Sequence, residues 1–127
     1  MDIFGTITNG INLAIDIKRL FEEVQGASQT LQQLRNEIQE METLLKECER
    51  VCTESMQSTQ MFIPLLQRAE ELLGDLKNAV TPYCKKASKS ITLSTPISMK
   101  MYFNESKFQK FTREIERQTL KINFMCT

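Results

Sequence analysis

Apolar residues recur every three or four positions through most of this 127-residue chain, which is the spacing of one face of an α-helix. The first run predicts a helix over about residues 2–24. Gly26 and then Ser28 provide a C-terminal stop and a new N-cap after it. The apolar stripe follows alternating steps of four and three and consists of Ile3, Ile7, Gly10, Ala14, Ile17, Phe21 and Val24.

The second run predicts a helix over about residues 28–54, with apolar residues in strict heptad positions. Charged and amide side chains fill the positions between them, so this helix is expected to have one buried and one solvated face. The heptad residues are Leu31, Leu34, Ile38, Met41, Leu45, Cys48 and Cys52.

A third helix is predicted over about residues 61–80 and a fourth over about 104–124. Pro82 is expected to end the third helix, and Gly74 to mark a close helix–helix contact. Residues 83–104 predict an irregular packed loop, with a short helix near residues 83–89. On the fourth helix the inward residues are expected to be Phe108, Phe111, Ile115, Ile122 and Met125.

Four amphipathic segments joined by mostly short breaks predict an all-α fold, a four-helix bundle with up-down-up-down topology. We expect residues 1–127 to form a single domain. No run of about 18 apolar residues occurs, so no conventional transmembrane helix is predicted.

The net charge of zero hides an uneven distribution. Residues 1–84 carry 7 Lys/Arg against 13 Asp/Glu, whereas residues 85–127 carry 9 against 3. Either the two halves neutralise each other within the fold, or the basic end is available to anionic lipid or to the acidic end of another copy.

The composition argues against enzyme chemistry. Histidine is absent, and the sequence contains neither a glycine-rich phosphate loop nor paired carboxylates beyond ordinary surface glutamates. We therefore expect no enzymatic activity, no cofactor and no small-molecule substrate. The basic last third lacks tryptophan, and nucleic-acid binding is not expected either.

The four cysteines, Cys48, Cys52, Cys84 and Cys126, do not have the spacing of a disulfide framework. Without histidine partners they are not expected to form a zinc site. Reduced and mostly buried thiols are the expected state, which indicates an intracellular compartment.

The first helix carries a second, polar stripe with a spacing of seven, formed by Asp2, Asn9, Asp16 and Glu23. In a single bundle this stripe is simply the solvated face of the helix. If several such helices formed a ring, the same stripe would line a polar lumen while the Ile/Phe stripe met lipid. Rings of acidic side chains favour cations. The spacing is compatible with both interpretations.

The opening segment Ile-Phe-Gly-Thr-Ile-Thr-Asn-Gly-Ile-Asn-Leu-Ala-Ile resembles the first helix of the powdery-mildew-resistance (RPW) type coiled-coil domains of plant helper NLR immune receptors. The resemblance continues through the heptad of residues 31–52, the helix at residues 65–80, the basic loop after Tyr83 and the last helix from Lys107 onward. The same pattern is similar to the HeLo-type killer bundles of fungi and of mixed-lineage kinase-like pseudokinases.

Both resemblances imply a bundle that oligomerises, disrupts membranes or forms a cation-permeable pore, and causes cell death. They imply a cytoplasmic protein that moves to the plasma membrane on activation, with Ca²⁺ as a candidate permeant ion. Asp2 and Asp16 would then serve ion passage, and Glu23 would also line the pore. The membrane-inserting residues would be Ile3, Phe4, Ile7, Ile11, Ile17 and Phe21. Anionic lipid headgroups would be bound by Lys85, Lys86, Lys89, Lys100, Lys107, Lys110, Arg113 and Arg117.

A different class of function also fits the sequence, namely a protein–protein interaction module that docks a partner helix. In that case the heptad stripe of the second helix, at Leu34, Ile38 and Met41, would carry the binding.

Overall fold

The computed structural model describes residues 3–22, 29–54, 59–89 and 105–126, and every one of these residues is helical. The helices are α1 (Ile3–Glu22), α2 (Gln29–Glu54), α3 (Thr59–Lys89) and α4 (Glu105–Cys126). Helices α1 and α4 each pack against both α2 and α3. The predicted all-α four-helix bundle is therefore confirmed.

The direction of the helices follows from pairs of residues across their contacts. Gly10 of α1 lies beside Leu45 of α2, and Glu22 lies beside Arg35, so α1 and α2 run antiparallel. Glu37 of α2 lies close enough to Glu116 of α4 for their charges to repel each other, and Cys48 of α2 contacts Cys126 of α4. Helices α2 and α4 therefore run parallel. Around the bundle the order is thus α1, α2, α4, α3, which places α1 diagonally opposite α4.

The core consists of the apolar faces that the periodicity predicted. All seven heptad residues of α2 are buried, with no more than 4% of any of them exposed. On α4, Phe108, Ile115 and Ile122 are buried, while Phe111 and Met125 are partly buried and pack against the core. Burying large apolar side chains contributes on the order of 2 kcal/mol each, so these stripes supply the main driving force for folding.

Helix α3 is longer than the sequence predicted, because it continues through Pro82 to Lys89. The prediction that Pro82 ends the helix was wrong, and residues 83–89 extend α3 instead of forming a separate short helix. A proline removes one hydrogen bond from a helix, and tertiary packing can outweigh that loss. Val80, which is fully buried, anchors the turn that precedes Pro82. The rest of the predicted loop, residues 90–104, lies outside the described residues.

The close helix–helix contact is at Gly10 and not at Gly74, so the prediction for Gly74 was wrong. A Cβ atom at Gly10 would lie 3.0 Å from Cδ1 of Leu45, whereas one at Gly74 would meet nothing within 4 Å. Gly10 therefore permits the close approach of α1 to α2, and it does so from within the buried stripe of α1.

Candidate functional site: helix α1 and the outward face of α4

The apolar stripe of α1 holds this helix on the bundle. Ile7 and Ile17 are fully buried, and 4% of Phe21 is exposed. Ile3 and Ile11 are partly buried and pack against the same core. Five of the six residues predicted to insert into membranes thus face the bundle interior in this structure. The exception is Phe4, which is 42% exposed.

A buried ion pair fixes α1 against α2. Lys18 Nζ of α1 lies 2.7 Å from Glu42 Oε1 of α2, and Lys46 Nζ lies 3.1 Å from Glu42 Oε2. Lys18 Nζ also donates a hydrogen bond of 2.7 Å to Gln39 Oε1. Only 5% of Glu42 is exposed, so this carboxylate depends on its two lysines for charge compensation.

The environment of Glu42 determines its pKa through opposing effects. Burial acts to raise the pKa, and the hydrogen bonds and positive charges of Lys18 and Lys46 act to lower it. The lysines dominate, so the pKa of Glu42 lies below its ordinary value. The carboxylate is therefore ionised at neutral pH and carries a full negative charge opposite Lys18.

A second ion pair joins α1 to α3. Lys77 Nζ donates to Asp16 Oδ2 over 3.0 Å, and both side chains are partly exposed. Surface ion pairs of this kind contribute little to stability. Asp16 nevertheless points to the α3 flank of α1, and its charge is matched by Lys77 while the bundle is closed.

The predicted polar stripe of α1 is only partly within the described residues. Asn9 is exposed, as a solvated face requires, and Asp16 takes the position seven residues further on. Asp2 and Glu23 lie outside the described residues. Helix α1 thus packs its apolar face on the core, and at least two of its polar side chains, Asn9 and Asp16, lie away from the core.

Helix α4 presents a basic and apolar surface to solvent. Its residues follow steps of three and four and therefore share one side of the helix. Leu120 and Phe124, which are 63% and 82% exposed, lie between the cations. We call this surface the outward face of α4, and it consists of Lys110, Arg113, Arg117, Leu120, Lys121 and Phe124.

The acidic residues between positions 106 and 126 are Glu114 and Glu116, and Glu114 Oε2 faces Arg68 of α3 at 3.8 Å. Lys107 is exposed on the α3 side of α4 and lines a groove of about 230 Å³ with Arg68 and Phe111. Net positive charge therefore dominates this side of the bundle.

The other predicted lipid-binding lysines are less well defined. Lys85, Lys86 and Lys89 belong to the last turns of α3, where only the backbone is described. Lys100 lies outside the described residues.

Sequence reasoning missed Leu120 and Phe124. The available signal was their phase, since both are large apolar residues that fall outside the stripe of Ile115 and Ile122. Single exposed apolar residues are common on protein surfaces, but two large ones that are adjacent on a helix face form a candidate contact surface.

The heptad stripe of α2 is not available to a partner. Leu34, Ile38 and Met41 are fully buried in the bundle core, so the predicted docking surface at these residues was wrong. Their apolar side chains face the other helices of this bundle and satisfy the heptad pattern within one chain.

Among the helices that the structure describes, none is both long and apolar enough to cross a membrane. The same residues contain no group of three or more Cys, Asp or Glu side chains placed to hold a metal ion. Comparisons of the chain with protein-family models, with curated proteins and with solved structures find no match.

Proposed function

We propose that this chain is a cell-death signalling domain of an intracellular immune receptor, which oligomerises on activation, associates with the plasma membrane and forms a cation-permeable pore through α1. The observation that carries the proposal is the two-sided character of α1. This helix has a continuous apolar stripe that packs on the core, Asn9 and Asp16 lie away from that stripe, and the Lys18–Glu42 ion pair holds the helix to α2.

The length of α1 supports a membrane role for an assembly of several copies. Its 20 residues extend over about 30 Å at about 1.5 Å per residue, which matches the hydrocarbon thickness of a bilayer. A single α1 carries too many charges to cross alone. In a ring, however, Asn9 and Asp16 would face a shared lumen and Ile7 and Ile17 would face lipid.

The outward face of α4 supports the lipid part of the proposal. Exposed arginines and lysines attract anionic headgroups, and Leu120 and Phe124 can enter the boundary between headgroups and acyl chains. This surface is accessible in the closed bundle, so docking through α4 can precede the release of α1.

Ion release from anionic vesicles by the intact chain tests the pore. Asp16→Ala and Lys77→Ala each remove the same ion pair, but only Asp16→Ala removes the carboxylate. We expect Asp16→Ala to reduce the cation flux and Lys77→Ala to preserve or increase it. Equal fluxes in the two variants would refute a pore-lining role for Asp16.

Vesicle binding tests the lipid surface. Each basic residue near an anionic membrane contributes about 1 kcal/mol, so Arg113→Gln with Arg117→Gln should weaken binding by about 30-fold. The matched control is Arg35→Gln with Arg50→Gln, which removes the same charge from two exposed arginines of α2. Equal losses in the two double variants would show that only net charge matters.

A second candidate function is an interaction module that docks a partner protein, and the specific observation in its favour is the exposure of Leu120 and Phe124. This function predicts that the chain neither binds nor permeabilises protein-free vesicles. Vesicle leakage that depends on Asp16 would exclude it as the main activity.

A further inference from the structure

Two thiols meet where the C-terminal third of α2 contacts the end of α4. Sγ of Cys48 lies 3.1 Å from Sγ of Cys126, although the residues are 78 positions apart. Cys52 follows one turn after Cys48 on the same side of α2. Cys48 is fully buried and Cys126 is partly exposed, so reagents from solvent reach the pair from the α4 side.

The distance between the sulfur atoms is short enough for bond formation with little rearrangement. A disulfide requires an S–S distance of about 2.05 Å, so the two atoms have to approach by about 1 Å. Cys126 is the last residue of α4, where a helix frays easily, and a small change there can supply this movement.

We propose that Cys48 and Cys126 are an oxidation site, at which a peroxide converts the two thiols into a disulfide that links α2 covalently to α4. This proposal concerns the bundle itself and does not depend on the proposed membrane function.

The reaction balances with hydrogen peroxide as the oxidant. The Cys126 thiolate attacks one peroxide oxygen, the O–O bond breaks, and a sulfenic acid and one water form after proton transfer. The sulfur of Cys48 then attacks the sulfur of the sulfenic acid, the S–O bond breaks, and the Cys48 proton leaves with the oxygen as a second water. Two thiols lose two electrons in total, and one peroxide gains them.

Proximity outweighs the low reactivity of the buried thiol. Burial, together with the neighbouring Cys126, raises the pKa of Cys48 far above its ordinary value, so its thiolate is scarce at neutral pH. Burial also raises the pKa of Cys52. We therefore assign the first step to the more exposed Cys126, and the second step to Cys48 because its sulfur is already in contact.

The disulfide would restrain α2, α3 and α4 and would leave α1 unrestrained. The closed loop runs from residue 48 to residue 126 and includes the end of α2, all of α3 and α4. Helix α1 lies outside this loop. Oxidation would therefore oppose the separation of α2 from α4 while α1 stays attached through noncovalent contacts alone.

The test is to treat the 127-residue chain with hydrogen peroxide, block free thiols and digest with trypsin without reduction. The sequence favours this design, because Cys48, Cys52 and Cys126 fall in separate tryptic peptides, residues 47–50, 51–68 and 122–127. We expect a reductant-sensitive species that joins 47–50 to 122–127 in the wild type and in the control Cys52→Ala.

Thermal unfolding and hydrogen exchange supply independent readouts. The oxidised chain should unfold on the order of 10 °C higher than the reduced chain, and Cys126→Ser should abolish this shift. Amides of α4 should exchange more slowly after oxidation, with those of α1 unchanged. Linkage of 122–127 mainly to 51–68, links only between chains, or over-oxidised Cys126 without a link would each overturn the proposal.

Discussion

The Lys18–Glu42 ion pair offers a direct test of how α1 is held. Glu42→Gln keeps the size of the side chain but removes its charge, so Lys18 loses the negative charge at 2.7 Å and keeps only neutral acceptors, the introduced amide oxygen and Gln39 Oε1. A hydrogen bond to a charged group contributes about 1.5–3 kcal/mol, and loss of one partner of a buried pair costs up to about 5 kcal/mol. Because 19% of the Lys18 side chain is exposed and Gln39 remains, we expect a cost of about 2 kcal/mol, near the lower estimate.

Native-state hydrogen exchange measures this cost where it should occur. A loss of about 2 kcal/mol raises the opening equilibrium of α1 by about 30-fold, so amides between Ile7 and Ile17 should exchange about 30 times faster. Amides of α4 should change less, because α4 does not touch this pair. If detachment of α1 precedes permeabilisation, the same variant should also increase leakage from anionic vesicles.

Glu47→Gln is the matched control for this variant. Glu47 belongs to the same helix and pairs with Arg50, but both side chains are exposed and the pair lies within α2. The control should leave the exchange of α1 unchanged. If α1 exchanges at the wild-type rate in Glu42→Gln, or equally fast in both variants, the ion pair does not hold the helix and the reasoning fails.

Three further predictions concern the stability of the bundle. First, the stabilisation from Glu42 is complete above its ordinary pKa of 4.5 and is lost as the pH falls through the lowered value of the folded state; the protection factors of the α1 amides, which are corrected for the pH dependence of intrinsic exchange, should therefore fall in acid in the wild type but not in Glu42→Gln, and an equal acid response would refute this. The raised pKa of Glu37 has the opposite sign and is common to both proteins. Second, Gly74→Ala should raise the free energy of unfolding by about 1 kcal/mol in urea titrations, because open space surrounds Gly74 within α3; destabilisation would show a contact that the structure lacks. Third, Gln118→Met should stabilise by about 1 kcal/mol in the same titration, because Oε1 of the buried Gln118 has no hydrogen-bond partner among the described residues; a loss of stability would indicate that the amide is satisfied.

The sequence was sufficient for the fold because burial in a helical bundle follows periodicity closely. Each heptad position of α2 from Leu31 to Cys52 is buried, and the inward face of α4 was identified from spacing alone. The same reasoning failed at Pro82, where local propensity predicted an end but tertiary packing around Val80 keeps the helix intact.

The candidate site was less accessible to sequence reasoning, because its key interactions join distant parts of the chain. No spacing rule pairs Lys18 with Glu42 or Asp16 with Lys77, since both pairs depend on how α1 sits against α2 and α3. Likewise, Cys48 and Cys126 are neighbours only because α2 and α4 run parallel. Contacts within a helix can be read from sequence, whereas contacts between helices require the packing order.

That packing order has a consequence for an opened molecule. Helix α1 lies between α2 and α3, which face each other only across the bundle diagonal, so its departure uncovers a long apolar trough lined by Met41, Leu45 and other core residues. The trough is complementary in shape to α1 and, like the apolar stripe of α1, it is apolar. The best available ligand for it is therefore α1 of another copy. Reciprocal exchange of α1 between two chains would then compete with membrane insertion and with return of α1 to its own bundle. This competition would become stronger at high protein concentration.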